Sequence, residues 1–187
     1  GTVLLLDAVR LSGKACSIVC ITTDKCYENR EWLHSYREED PMGGHDPYSA
    51  SKGATEIAIS SYRKSFFLLE GLIRVASARA GNVIGGGDWA KDRIVPDCIR
   101  AIRSNTPITV RNKRATRPWQ HVLEPLSGYL RLAQQLSTSE MEWFGESFNF
   151  GPSSMSSKTV SELVAALGED WDDGNAKNMD VSSERNS

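Results

Sequence analysis

The chain has 187 residues, 40% of them apolar and 25% charged, with a formal net charge of −2. This is enough for one globular core and a small second lobe, and the near-neutral charge supplies no field for nucleic acid or an anionic membrane. No apolar run reaches the roughly 20 residues that span a bilayer, and no signal-peptide pattern opens the chain, so the sequence reads as cytoplasmic.

In chain order, Leu5, Ala8 and Val9 recur at helical spacing and Gly13 punctuates the helix they predict. The run Cys16-Ser17-Ile18-Val19-Cys20-Ile21-Thr22-Thr23 is apolar at most positions and predicts a strand buried on both faces. Residues 24 to 47 are polar and aromatic with little periodicity, which predicts a long functional loop. Pro47 suits the first residue of a helix running to about Phe67. Leu72 to Ala78 predicts the next strand, closed by Gly81-Asn82, and Gly85-Gly86-Gly87 a flexible turn. A helix from Ile94 to Arg103, a short strand at Ile108-Thr109-Val110 and a helix from Val122 to Leu136 follow. The last elements are a strand at Phe148-Asn149-Phe150 and a helix from Val160 to Leu167. Strands alternating with helices predict an α/β parallel sheet. The segment from Asp170 to Ser187 is polar and is expected to stay disordered. An uncapped start and this tail make the sequence read as a fragment.

Cys16, Cys20, Cys26 and Cys98 fit no C-x-x-C pattern and read as reduced, structural thiols. His34, His45 and His121 lack metal-ligand spacing, so no metal is expected. The chemistry lies elsewhere. Tyr48 and Lys52 stand four residues apart and share one helix face. A phenol, whose ordinary pKa is about 10, becomes a better base beside an ammonium group. A phenol so activated can take a proton from a substrate hydroxyl. An exposed, inert helical pair is the bland alternative, because the spacing is common. The strand's end at Thr22-Thr23-Asp24-Lys25 is the second signal, since an α/β sheet presents its ligand edge there. Taken alone, Thr23 and Asp24 equally suit a turn cap.

Thr-Thr-Asp at a strand end followed by Tyr48-Ser49-Ala50-Ser51-Lys52 resembles the extended short-chain dehydrogenase/reductase family, the NAD-dependent epimerases and dehydratases. The resemblance runs to about Gly168. Three strings within it look closest to the 4,6-dehydratase branch that acts on CDP-glucose: Thr23 to Trp32, Gly81 to Trp89, and Arg117-Pro118-Trp119-Gln120-His121-Val122. The fold implied is a partial Rossmann-like, doubly wound parallel sheet lacking its N-terminal strands, with a smaller C-terminal substrate-binding lobe. Its divisions are expected at residues 1–84, at 85–168, a lobe interleaved with the sheet, and a tail at 169–187. The resemblance implies NAD as cofactor, with Thr22, Tyr48 and Lys52 toward it. It implies Tyr48 as base for the C4 hydroxyl and Lys52 as holder of the nicotinamide ribose. Thr23 would hydrogen-bond the C4 oxygen, and Asp24 would be the acid for the departing C6 hydroxyl. Lys25 stands where thymidine-linked relatives place a glutamate, which leaves the C5 base open. Asn82, Arg93 and Arg117 match positions that grip the substrate's phosphates, where guanidinium forks suit phosphate oxygens.

The basic run Arg111, Lys113, Arg114 and Arg117 has a solvated edge as its plain alternative, and no nucleic-acid partner is expected. Trp32, Trp89 and Trp119 read as core or loop anchors, with Trp89 near enough to a glycine turn to reach substrate. No G-x-G-x-x-G occurs, and in the resembling family that loop lies upstream of Gly1. A sugar-nucleotide epimerase and a non-catalytic remnant remain alternatives. When intact, the protein is expected to be a homodimer or homotetramer, with Ile57, Ile59 and Tyr62 supplying the surface.

Overall fold

The computed structural model describes residues 1–30, 34–67, 71–110, 112–138, 146–153, 157–169 and 182–183. The chain divides into two compact units: Gly1–Gly81 with Val122–Gly151, and Asn82–His121 with Pro152–Ser187. Within the second expected division, the lobe interleaved with the sheet, the stretch Val122–Gly151 groups with the first unit.

In the first unit, helix α1 spans Thr2–Ser12, and Gly13 takes the left-handed conformation (φ 62°) that terminates it. Strand β1 is Cys16–Thr23, α2 is Pro47–Tyr62, and β2 is Ile73–Ala80. Helix α2 ends in a π turn at Arg63–Phe67, which carries it to the predicted limit. The three-stranded parallel sheet runs β1-β2 and then Ser147–Phe150, the last strand of this unit. The helix Leu123–Thr138 precedes that strand.

Side chains alternate across β2, so its two faces meet different helices. Ile73 and Val75 pack with Leu6, Ile59 and Phe67 of α1, α2 and the π turn. Ala76 and Ala78 point the other way and pack with Leu132 and Leu136. The central strand β2 is thus the one covered on both faces. Strand β1 differs from expectation. It is an edge strand among the described residues, and Cys16, Ser17 and Ile21 are exposed. Ile18 and Cys20 pack toward one cluster and Val19 toward the other, all only half-buried, a partial burial that composition alone does not separate from a full one.

In the second unit β3 is Val83–Ile84, α3 is Ile94–Arg103, β4 is Thr109–Val110, β5 is Thr116–Arg117 and β6 is Gln120–His121. We number the first unit's later helix α4 and its last strand β7; the second unit resumes with β8 at Lys158–Thr159, α5 at Val160–Glu169 and β9 at Ser182–Ser183. Two-residue strands pair as β3 with β6, β4 with β9 and β5 with β8. Cys98, Ile108, Val110, Val160 and Val164 form this unit's core, with Trp119 packed against it. Of the expected disordered tail, Ser182–Ser183 pairs with Thr109–Val110, and its remainder from residue 170 lies outside the described residues. So do Trp32 and Arg111.

Two further expectations meet the structure here. Ile59 is 1% exposed in the core, Tyr62 is half-buried against Phe66 and Phe67, and Ile57 is 60% exposed, so the three do not form one exposed surface. The cysteines are all free. Burial pushes the Cys26 thiol up to about 12, and those of Cys20 and Cys98 up to about 11. Since thiolate is the reactive form, a disulfide-exchange reagent at neutral pH should find one fast thiol in the native chain, the exposed Cys16. Two or more fast equivalents would contradict this. Among the described residues no helix is long and apolar enough to cross a membrane, and no group of His, Cys, Asp or Glu suits a metal ion.

Candidate active site

The site is built where β1 ends. Thr23 is extended and caps a short 3-10 turn, Asp24–Cys26. Its Oγ1 accepts the Lys25 amide at 3.3 Å and donates to Asp24 Oδ1 at 3.0 Å. The threonine caps a turn, and its bond to Asp24 keeps that carboxylate beside the strand's end.

Helix α2 begins beside this turn. Asp46 is its N-cap, accepting the Ser49 amide at 3.0 Å and the Ser49 hydroxyl at 2.6 Å. Those bonds, the hydroxyl's first, hold the Asp46 carboxyl below its usual range. Pro47 occupies the first turn, with its fixed φ. Gly53 lets the helix approach the turn closely, since a Cβ there would sit 3.2 Å from the Cys26 carbonyl oxygen. That oxygen also accepts the Gly43 amide at 2.9 Å.

Tyr48 lies in the first turn of α2 and is 56% exposed. Lys52 is half-buried, its Nζ 5.6 Å from the Tyr48 ring centroid. Tyr48, Lys52, Thr23, Asp24 and the exposed Lys25 thus occupy one region of the first unit, where α2 backs onto the strand-end turn. Thr22 is placed differently. Its hydroxyl donates to Glu56 and faces into the packing between α2 and the sheet, so it is not free to donate to a cofactor.

The other three site residues lie in the second unit. The Asn82 carbonyl accepts the Gln120 amide at 3.0 Å, tying the start of β3 to β6. Arg93 is the exposed N-cap of α3 and makes no side-chain cap bond. Arg117 is half-buried on β5, which pairs antiparallel with β8, and its Nη1 donates to the Thr116 carbonyl at 3.1 Å. Among the described residues no carboxylate pairs with Arg93 or Arg117. Trp89 is held onto α3: Arg100 donates to its carbonyl at 3.0 Å and Arg103 lies over its ring at 5.6 Å. His121 is exposed on β6.

A buried polar network in the first unit escaped the sequence reading. Glu56 and Arg79 pair at 2.7 Å with side chains 1% and 3% exposed. Glu56 also accepts the hydroxyls of Thr22 and Ser77. Arg79 donates to Tyr27 Oη at 2.7 Å and to the Glu38 carbonyl at 3.0 Å. Tyr27 in turn donates to Asn149 Oδ1 at 2.7 Å, and its ring stacks on Tyr36. A signal was present just beyond the expected strand: Arg79 directly follows its apolar run, a buried arginine demands a buried carboxylate, and Glu56 follows Lys52 at helical spacing.

The parallel sheet flanked by helices, with the tyrosine–lysine helix beside its carboxyl edge, defines an α/β architecture of the Rossmann-like type. A family model, the NAD dependent epimerase/dehydratase family, matches residues 1–151, and the chain belongs to that family. It is 51% identical over 177 residues to the CDP-glucose 4,6-dehydratase of Salmonella typhimurium, covering 92% of this chain and 49% of that protein. In fold it matches the dTDP-glucose 4,6-dehydratase of Bacillus anthracis, solved in complex with NAD, with a TM-score of 0.73 at 20% identity, covering 99% of this chain and 55% of that one. An NAD-dependent NDP-hexosamine 5,6-dehydratase matches with a TM-score of 0.77 at 21% identity, covering 98% and 55%. The chain spans about half the length of the curated relatives it matches.

Proposed function

We propose that this chain is the active-site half of an NAD-dependent sugar-nucleotide 4,6-dehydratase acting on CDP-glucose. The observation that carries the reading is the Tyr48–Lys52 pair at the exposed start of α2, backed through Gly53 onto the Thr23–Cys26 turn. The 51% identity to a CDP-glucose 4,6-dehydratase supports the choice of substrate.

These residues fit the cofactor on their own chemistry. Tyr48 and Lys52 offer a hydroxyl and an ammonium on one accessible face of α2, suited to a nicotinamide ribose. When bound, NAD supplies a two-electron acceptor that takes hydride from C4 and returns it at C6. Tyr48 removes the C4 hydroxyl proton, and Lys52 places positive charge beside the ring that receives it. Thr23 hydrogen-bonds the C4 oxygen. Its present bond to Asp24 makes the two a coupled pair, with Asp24 the acid for the departing C6 hydroxyl. Lys25, exposed beside them, stands as a catalytic candidate of less settled role, because a lysine must lose its proton before it can act as the C5 base. Asn82, Arg93 and Arg117 hold the nucleotide's phosphates, the two guanidinium groups having no carboxylate partner among the described residues.

The intact enzyme has a complete doubly wound sheet with the second unit as its substrate lobe. These 187 residues contain no G-x-G-x-x-G, the loop that grips a dinucleotide's pyrophosphate in this fold. The intact enzyme assembles as a homodimer or homotetramer, and neither nucleic acid nor membrane is its partner. Incubating the intact protein with CDP-glucose and NAD tests the reading: a 4-keto-6-deoxy product, detected by its absorbance in alkali, is expected. A product differing only in hexose configuration would make the protein an epimerase, and no turnover of any nucleotide sugar would make it a non-catalytic remnant.

A further inference from the structure

Tyr48, Lys52 and Glu56 follow one another at intervals of four and so share one face of α2. The last of them is the helix's anchor. In the register of β1 with β2, Cys20 lies beside Ser77 and Thr22 beside Arg79. Glu56 takes donors from both strands at this level: the Thr22 hydroxyl on Oε1, and Ser77 Oγ and Arg79 Nη2, each at 2.7 Å, on Oε2. Both carboxylate oxygens are used, and the side chain is sealed from water.

A carboxylate held this way has one low-energy seat, because sliding α2 along the sheet would strand a buried charge. The seat lies one turn beyond Lys52 and one residue before Thr23. Through Arg79 it also reaches Tyr27 and Glu38, in the loop that follows Asp24.

We propose that Glu56 is a positioning residue for the Tyr48–Lys52 pair, fixing the first turns of α2 against the strand end that carries Thr23 and Asp24. This rests on the assignment of Tyr48 as the base. The plain alternative is that the Glu56–Arg79 pair serves folding alone.

The test uses the intact enzyme and variants that separate the two roles. Glu56→Gln leaves Arg79 buried without a counter-charge and reports on folding. The double variant Glu56→Met/Arg79→Met removes both charges, a change that is often neutral or stabilising for a buried pair. Thr22→Val keeps the ion pair and deletes only the tie from β1. For both of these the expectation is a cooperatively folded protein, with Tm lowered in Thr22→Val because Glu56 Oε1 loses its donor, faster amide hydrogen exchange over residues 44–52, and a lower rate of nicotinamide reduction in a single turnover. The fall in kcat should be about 100-fold for the double variant and about 10-fold for Thr22→Val, with KM within about twofold, because substrate grip lies on other residues.

If the double variant keeps its Tm and also keeps wild-type exchange and kcat, the inference is overturned. Should it fail to fold, Thr22→Val decides alone, and wild-type exchange with wild-type kcat there overturns it. A wild-type enzyme that only inverts a hexose centre would remove the dehydratase reading. It would leave this test standing, since nicotinamide reduction is common to both reactions.

Discussion

Tyr48→Phe in the intact enzyme should lower kcat by about a thousandfold and leave substrate affinity nearly unchanged. The substitution deletes one hydroxyl and little else. Lys52 lies 5.6 Å from the ring centroid, and a phenylalanine ring keeps that contact. Tyr48 is an exposed residue, so no buried group loses a partner and folding stability should change by less than about 0.5 kcal/mol. A thousandfold loss corresponds to about 4 kcal/mol of transition-state stabilisation, more than an exposed hydroxyl contributes to folding or binding. Because phosphate grip is assigned to Asn82, Arg93 and Arg117, KM should stay within about threefold. A variant working at near wild-type rate removes Tyr48 from the chemistry.

Arg79→Met should destabilise the protein by about 3–5 kcal/mol at neutral pH, the usual cost of leaving one member of a buried ion pair alone. Glu56 keeps the hydroxyls of Thr22 and Ser77 in that variant but loses its only cation within bonding distance among the described residues. The pH dependence identifies the cause. In the wild type, burial pushes the Glu56 carboxyl up, yet hydrogen bonds from Arg79 and Thr22 outweigh it and hold the group below its ordinary 4.5. A lowered native value contributes stability above pH 4.5 that is lost as pH falls through that lowered value. With Arg79 gone, burial is opposed only by the hydroxyls and the more distant Arg63 charge, and the native value should rise above 4.5. The variant's deficit should then shrink as pH falls through the raised value, and shrink further below 4.5 as the wild type loses its own contribution. Urea unfolding at several pH values measures this directly, and a deficit that does not vary with pH would show that lost packing, not an isolated carboxylate, is responsible.

Much of the architecture is written in local pattern. Helices α3 and α4 fall within two residues of their expected limits, and Gly13 ends α1 in the left-handed conformation that glycine tolerates. The shared face of Tyr48 and Lys52 also follows from the helical repeat alone, and Pro47 marks where that helix starts. The two-residue strands β3, β5, β6 and β8 were invisible because two residues carry no periodicity. The burial of β1 was overstated, since an apolar run looks the same at a sheet's edge as at its centre.

By itself, then, the order of residues determined the longer helices and strands and the placement of a tyrosine and a lysine on one helix face. Those properties arise within one turn or one strand, where neighbours along the chain set the geometry. Only the tertiary structure decided that Val122–Gly151 returns to the first sheet. It alone decided that Thr22 turns its hydroxyl onto Glu56, and that Glu56 meets Arg79 across 23 positions of sequence. Such contacts depend on which strands pair and in what register, and a buried charge selects its partner only once that pairing has excluded water from both.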